Sequence, residues 1–442
     1  MTNAISTVVF MSKACNFFLV RLLLHPTVSS LPLVVKRYWS KTTTLAISPR
    51  NELVGQIQDA WMTGETDGIL KLASQLPMEP IMYDVNDLVH ATLDALPLRG
   101  QAAGALNAWI GSCRKLTDQQ LGAERAWQFL NAFDSSTNIE PNLVTYSLVY
   151  STMTQRDLPA KYHSLGNTAL DRATRLAKKQ GGSKRRKSLA ASLRKSSLVD
   201  RSSDLMNLYG VSILHESDDY ILVCKPSGMI CAHSVTTSSG KVTSSRRKFI
   251  RDGKDPTDLD ISLESALLDC GISLSSINVD GRGLVHRIDR GTSGCIVLAK
   301  NDASHAKLVS DFFLRNIQKT YRALVTLTND DIPPEGIIEI PVQGRPAVSC
   351  YSLEDRYDNH RCLLKVRTLT GRKHQVRIHC AEGLNAPIVG DAKFDTAIKS
   401  GPMDTKERFC LHASSLQLSN NVTVEAPLPE WWFPEMNGNK DT

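Results

Sequence analysis

Asp289 stands in Gly283-Leu-Val-His-Arg-Ile-Asp-Arg-Gly-Thr-Ser-Gly294, where an apolar stretch gives way to a tight turn. A turn of this kind lifts a side chain clear of a sheet and holds it rigidly, which suits a nucleophile or a base. The competing reading of these residues is structural, because an aspartate in such a turn also satisfies the backbone N–H groups around it. A second segment, Thr370-Gly-Arg-Lys-His-Gln-Val-Arg-Ile-His379, predicts a helix that opens at Thr370-Gly-Arg372 and runs through His374 to about Glu382, with Gly383 as its stop. In that helix His374 and Ile378 share a face, and Arg377 lies one turn from the start. A guanidinium beside a carboxylate favours the ionised form and fixes its orientation through two hydrogen bonds. An ionised, oriented aspartate with a phenol nearby, here Tyr321 of Lys319-Thr-Tyr-Arg322, makes a workable covalent site for sugar chemistry. Taken singly, Arg377 also fits a surface or phosphate-binding role, and Tyr321 a strand aromatic packed in the core.

Other chemistries find less support. Ser293 lacks the G-x-S-x-G frame of a nucleophile elbow. The chain carries no G-x-x-x-x-G-K-[ST] loop for nucleotide phosphates. A metal-dependent nuclease built on Asp289, Asp391 and nearby histidines would want a carboxylate cluster suited to Mg²⁺. The only local cluster, Asp255-Pro-Thr-Asp-Leu-Asp260, reads from its sequence as loop. Ten cysteines include no C-x-x-C pair, so they predict reduced, mostly buried thiols in a reducing compartment rather than a disulfide framework or a zinc site.

The elements that must position these residues begin at Val211, where the pattern becomes mixed α and β. Ile213 to Cys224 predicts two strands around an Asp-Asp turn, stopped by Pro226-Ser-Gly228. Gly283 to Arg287 predicts a short strand, Cys295 to Ala299 a buried one, Thr320 to Leu327 an alternating one, and Leu363 to Arg367 another. Asp302 is the expected cap of a helix whose Leu308, Val309, Phe312 and Phe313 share a face. Residues 234–258 are polar and basic and predict a mobile insertion.

The rest of the chain is organised differently. Glu52 is the first acid of the 442 residues, and it follows Lys13, Arg21, Lys36, Arg37, Lys41 and Arg50 among many Ser and Thr. Such a leader predicts an organelle transit peptide over 1–51, mitochondrial ahead of plastid, with Arg37-Tyr-Trp-Ser40 resembling a processing site. Residues 52–176 show helical periodicity, as in Leu121, Ala123, Ala126, Trp127 and Leu130. Pro141 to Thr154 resembles the first helix of a pentatricopeptide repeat and Ala123 to Leu130 the second helix of a preceding one, a repeat class that reads single-stranded RNA. A nondescript helical bundle or partner-docking domain is the alternative. Residues 177–204, with Lys178, Lys179 and Lys184-Arg-Arg-Lys187, predict a basic linker able to grip phosphates or serve as a solvated tether. The net charge of +7 mildly favours a polyanionic partner. No apolar stretch is long enough to predict a transmembrane helix.

Together the three segments resemble the motifs of the RluA-type pseudouridine synthases. Lys225-Pro-Ser-Gly-Met229, Ala386-Pro-Ile-Val-Gly-Asp391 and Leu411-His-Ala413 resemble its further landmarks, and the likeness covers roughly residues 211–430. Ile288 stands where Leu is usual, and Cys295 replaces an aliphatic residue. The resemblance implies a catalytic domain over 205–436 with a mixed, largely antiparallel sheet, flanking helices and a central RNA-binding cleft; with the α-helical, repeat-like region that the spacing predicts before it, the expected fold class is α+β. It implies that Asp289 is the catalytic carboxylate that attacks the target nucleoside, after which the uracil rotates and rejoins through carbon. Tyr321 would stack on the base and act in the final proton abstraction, and Arg377 would pair with Asp289. Arg287 would fill the gap left by a flipped uridine, since the glycosidic bond is out of reach inside a stack. Arg372 would contact the substrate, and so would His286 and His374, although these two and His379 read as structural or phosphate-contacting rather than catalytic, since no proton relay follows from their spacing. The expected partner is RNA, rRNA or tRNA of the organelle, acted on by a monomer without membrane, metal or small-molecule cofactor. An RNA-binding protein without catalysis is the alternative.

Overall fold

A computed structural model describes residues 49–76, 84–136, 139–180, 201–232, 261–327, 332–358, 360–395 and 408–433. The expected transit peptide except its last few residues, the core of the basic linker at 181–200, and the expected insertion at 234–258 lie outside the described residues. Seven helices form where the apolar spacing is helical: α1 (Pro49–Gly64), α2 (Thr66–Gln75), α3 (Val85–Ala95), α4 (Arg99–Cys113), α5 (Gln119–Ser136), α6 (Leu143–Met153) and α7 (Ala160–Gln180). The start of α6 shows how the sequence sets an end. Asn142 accepts the Thr145 N–H at 3.1 Å, while Thr145 Oγ1 accepts the Asn142 N–H at 3.1 Å, a reciprocal cap that satisfies two otherwise orphaned donors. Thr145 also donates to Asn107 of α4 at 2.8 Å, so the cap ties two helices together.

Trp109, Phe129, Phe133, Leu106 and Ile110 are fully buried between these helices. Each contributes about 1.5–3 kcal/mol by leaving water. The same core takes in Leu314, with Phe313 packed beside it, and both come from the C-terminal half. Gly111 makes room for that contact, because a Cβ there would lie 2.8 Å from Leu314. Ser151 is hydrogen-bonded to Ser310 at 2.7 Å, and Arg114 pairs with Asp311 at 2.8 Å. The helical region and the sheet region therefore share side chains instead of meeting through a tether.

The C-terminal half holds α8 (Arg201–Tyr209), α9 (Leu263–Asp269), α10 (Asp302–Phe313), a short α11 (Gln375–Ile378) and nine strands among the described residues. These are β1 (Ser212–Glu216), β2 (Tyr220–Lys225), β3 (Ser293–Ala299), β4 (Gln318–Thr326), β5 (Glu335–Ile338), β6 (Ser349–Arg356), β7 (Arg361–Thr368), β8 (Leu411–Gln417) and β9 (Thr423–Glu425). They make one sheet in the order β1-β2-β3-β8-β4-β7-β6-β5, with β9 on β8. Every strand pair is antiparallel except β3–β8. The fold is thus α+β with a mixed, largely antiparallel sheet. β3 is buried along its whole length because both its faces are covered. Ile296 and Leu298 pack toward α9, and Cys295 and Val297 pack toward Leu308 of α10.

The parallel contact at the sheet centre explains one glycine of the aspartate turn. Gly294 has φ 108°, and a Cβ there would sit 2.3 Å from the Ala413 carbonyl oxygen of β8. Gly294→Ala should therefore cost about 3 kcal/mol, combining backbone strain with overpacking. Thermal unfolding of the variant checks this, and an unchanged midpoint would refute it.

Three expectations require correction. Gly283 to Arg287 is not a strand, since only Leu284 makes a ladder contact, with Leu298. Asn301, not Asp302, caps α10 by accepting the Ser304 N–H at 2.8 Å. The Asp302 carboxylate instead accepts the Ser275 hydroxyl at 2.8 Å and the Ser276 N–H at 3.1 Å. The helix expected from Thr370 begins only at Gln375, because His374 adopts a left-handed φ of 62°, and it finishes as a wider π turn over His379–Gly383. His374 is therefore not on a helical face with Ile378.

Candidate active site

The Asp289 turn precedes β3 and is braced from beneath by the end of β2. Lys225 is fully buried, and its ammonium donates to the carbonyls of Pro226 at 2.9 Å, Met229 at 2.7 Å and Arg290 at 3.1 Å. Burial draws its pKa down to about 8, yet three carbonyl acceptors are a suitable cage for a cation. Ser227 donates to the Gly291 carbonyl at 2.7 Å, the Gly228 N–H donates to the Arg290 carbonyl at 2.8 Å, and Arg290 Nε donates to the Gly228 carbonyl at 3.0 Å. The Thr292 N–H closes the turn on the Asp289 carbonyl at 3.1 Å. Behind it, the Ser293 hydroxyl lies 2.8 Å from His412 Nδ1, while His412 Nε2 is 3.2 Å from the Ala426 carbonyl. The carbonyl requires Nε2–H, so Ser293 donates to Nδ1. Burial holds that imidazole neutral, with its pKa drawn down to about 4.

Arg377 reaches this turn, but its arrangement differs from the expected one. The expectation gave both guanidinium hydrogen bonds to Asp289. Instead Arg377 Nε and Nη2 each donate to Asp391 at 2.7 Å, and Asp289 Oδ2 receives only Nη1 at 3.4 Å. The reason is burial. The Arg377 and Asp391 side chains are 4% and 1% exposed, whereas Asp289 is 28% exposed. A cation that deep needs a full bidentate partner. The guanidinium also lies 4.2 Å from the Phe409 ring centroid and 4.9 Å from that of Phe394, which use its faces. Asp289 is left with one weak tether and open access. Asp391, Lys225, Phe394 and Phe409 were not singled out for these roles by the sequence reading. The only signal for the first two was their place in the landmarks around Lys225-Pro226 and Gly390-Asp391.

His374 joins the same cluster, with Nε2 3.8 Å from Asp289 Oδ1 and Nδ1 3.3 Å from Lys393 Nζ. The ammonium can only donate, so the neutral ring carries its proton on Nε2, facing the carboxylate. Burial lowers the His374 pKa below 6.5, opposed by Asp289 and reinforced by Arg377, Lys393 and Lys373. It is neutral at pH 7 and gains a proton only in acid, where the imidazolium would compete with Arg377 for Asp289. Turnover should therefore fall only in acid, on the far side of the ordinary imidazole range, and His374→Gln should move that acid limb. An identical profile in the variant would disprove the role.

Tyr321 is half-buried on β4, where burial and then the nearby Asp289 charge raise its phenol pKa, keeping it neutral. Arg287 is exposed beside the turn. Two residues expected at the substrate are engaged elsewhere. His286 Nε2 accepts the Val297 N–H at 3.1 Å, and its ring stacks on Phe312 at 4.5 Å. Burial pushes its pKa down to about 3, so it is a neutral packing residue under the turn. Arg372 donates to the Pro346 carbonyl at 2.9 Å and pairs with Glu65 at 2.8 Å. The structure thus brings together Asp289, Arg377 and His374, with Tyr321 within electrostatic reach, and leaves His286 and Arg372 to the framework. Among the described residues no group of His, Cys, Asp and Glu is arranged to hold a metal ion.

This region matches the family model described as RNA pseudouridylate synthase over residues 219–382. An RNA pseudouridine synthase of Zymomonas mobilis, itself uncharacterised, is 34% identical over 33% of this chain and 73% of its own length. The ribosomal large subunit pseudouridine synthase D of Xanthomonas campestris is 30% identical over 50% of this chain and 66% of that protein. The solved human RNA pseudouridylate synthase domain containing 4 shows 22% identity and a TM-score of 0.37, over 51% of this chain and 92% of that one. The braced aspartate turn, at the centre of a largely antiparallel sheet and faced by a buried arginine, lies within the matched residues. The chain belongs to the RluA-type RNA pseudouridine synthase family, and its enzyme class is RNA pseudouridine synthase.

Proposed function

We propose that this protein converts specific uridines of organelle RNA to pseudouridine through Asp289, with base flipping and no cofactor. The observation that carries the reading is the division of labour at Arg377: Asp391 takes two of its hydrogen bonds, and a partly exposed Asp289 receives one long contact. A carboxylate held this way is oriented yet free to leave its partner and attack an everted nucleoside. An Asp289 oxygen would bond to the sugar carbon as that carbon's bond to uracil N1 breaks, the uracil would rotate against Tyr321, and C5 would then displace the carboxylate from the same carbon, after which C5 gives up its proton and N1 takes one. Tyr321, kept as a neutral phenol, would stack on the base, and its hydroxyl would relay the proton leaving C5, accepting it as it releases its own to solvent. Arg287, exposed beside the turn, would occupy the vacated stack. Neutral His374 would aim Nε2–H at the reacting carboxylate.

The basic, acid-poor leader supports a mitochondrial location, and the likeness to a large-subunit ribosomal synthase supports rRNA ahead of tRNA as substrate. The test is to map pseudouridine in mitochondrial rRNA and tRNA from cells with and without the protein, restoring either the wild type or Asp289→Asn. The expected result is one or a few sites lost, returned by the wild type and not by the variant. Persistence of every site would overturn the organelle assignment.

A further inference from the structure

The corner between α1 and α2 reaches the active-site half of the molecule through Asp67, which pairs with Arg315 at 3.2 Å, and through Glu65. Glu65 holds φ 51° and ψ −124° there, backbone that a non-glycine residue rarely adopts. Such strain persists only where the surroundings impose it. Its carboxylate is fully used. Arg345 Nε lies 2.9 and 3.2 Å from the two oxygens and Arg345 Nη2 2.8 Å from the second, which also lies 2.8 Å from Arg372 Nη2. Arg345 is largely exposed, but the Arg372 and Glu65 side chains are only 11% and 13% exposed. This second pairing is therefore enclosed.

Arg372 opens the turn that delivers the chemistry. Its Nε donates to the Pro346 carbonyl at 2.9 Å and its backbone N–H to Gln375 Oε1 at 3.0 Å. Gln375 in turn accepts the Thr370 hydroxyl at 2.8 Å and donates to the Val348 carbonyl at 3.0 Å and to Ser349 at 2.9 Å. His374 and Arg377 follow directly from this lattice. Docking of the helices does not rest on Glu65 alone, because the Asp67–Arg315 pair and the α10 contacts of Arg114, Ser151 and Gly111 lie elsewhere. Without its carboxylate, the largely buried Arg372 cation would keep only a carbonyl partner and would turn toward solvent.

We propose that Glu65 is a positioning residue of the active site: by holding Arg372 against Pro346, it fixes the 370–375 turn from which His374 and Arg377 reach Asp289. The helical region then serves catalysis in cis. This rests on the synthase reading above.

The test uses the full chain acting on total RNA from cells lacking the protein, with pseudouridine formation as readout, alongside amide exchange over 370–376. Glu65→Gln should lower kcat about tenfold, in keeping with a sub-ångström loss of alignment, while leaving KM within about twofold. It should also speed exchange in that turn. Arg372→Gln should do the same, and the double variant should be no slower than the worse single one, since coupled residues are not additive. Arg114→Met, which loosens docking at α10, should leave kcat and the turn's exchange unchanged. Unaltered kcat and exchange in Glu65→Gln, or additive losses in the double variant, would overturn the proposal. If the wild type converts no uridine, the synthase reading fails, and the exchange result alone decides whether Glu65 holds the turn.

Discussion

Asp289→Asn should leave the protein folded and slow pseudouridine formation by on the order of ten-thousand-fold or more, the scale seen when a covalent catalyst loses its nucleophile. The amide has nearly the same shape as the carboxylate but offers no anionic oxygen for attack. Little structure depends on the charge. The Asp289 side chain is 28% exposed, and its contact with Arg377 is long at 3.4 Å. The turn is closed by backbone atoms and braced by the Lys225 ammonium, none of which uses the carboxylate. Arg377 retains Asp391 and gains no unpaired charge. Turnover and thermal midpoint should therefore separate, the first collapsing and the second staying within a few degrees. A variant retaining more than about one per cent of wild-type turnover would remove Asp289 from the nucleophilic role.

The same separation explains what could be read from the sequence. Asp289, Tyr321 and Arg377 were legible because each stands in a short local pattern, and the strands that carry or abut the first two show plain apolar runs. The pairing of Arg377 was not, because Asp391 comes from a loop after the helix and nothing local says which carboxylate will be the more buried. His374 was misplaced for a related reason. The segment's composition favours one continuous helix, but Gln375 is buried and bonds back to Thr370, Arg372 and Val348. That tertiary lattice forces His374 into a left-handed conformation and delays the helix. His286 looked like a polar neighbour of the nucleophile. Its ring faces α10, an element whose packing depends on the sheet order. β5, β6 and β8 carry mixed polar sequences whose pairing is set by register, so their local pattern announced nothing. The helical nature of 52–176 was evident from spacing, whereas its fusion with the sheet region through Leu314 and Phe313 is a tertiary fact.

Asp391→Asn should be the most destabilising conservative change in the site. The Arg377 and Asp391 side chains are almost completely buried and joined by two hydrogen bonds of 2.7 Å. Removing one charge from such a pair leaves the other uncompensated, at a cost of about 3–5 kcal/mol. The asparagine keeps one acceptor for one of the two donors, so the cost falls toward the lower end of that range. The cation is not wholly stranded, since Phe394 and Phe409 flank it and Asp289 is the nearest remaining carboxylate. That relief carries its own penalty. If the guanidinium turns to Asp289 for a full pairing, the nucleophile becomes tightly held, and turnover should fall about a hundredfold in the fraction that stays folded. Arg377→Lys should fail in a different way, because an ammonium is a point donor and cannot span Asp391 in two places while touching Asp289. Chemical denaturation and single-turnover rates together distinguish the cases. A stable Asp391→Asn protein with undiminished turnover would mean that the buried pair neither supports the fold nor spares Asp289 from Arg377.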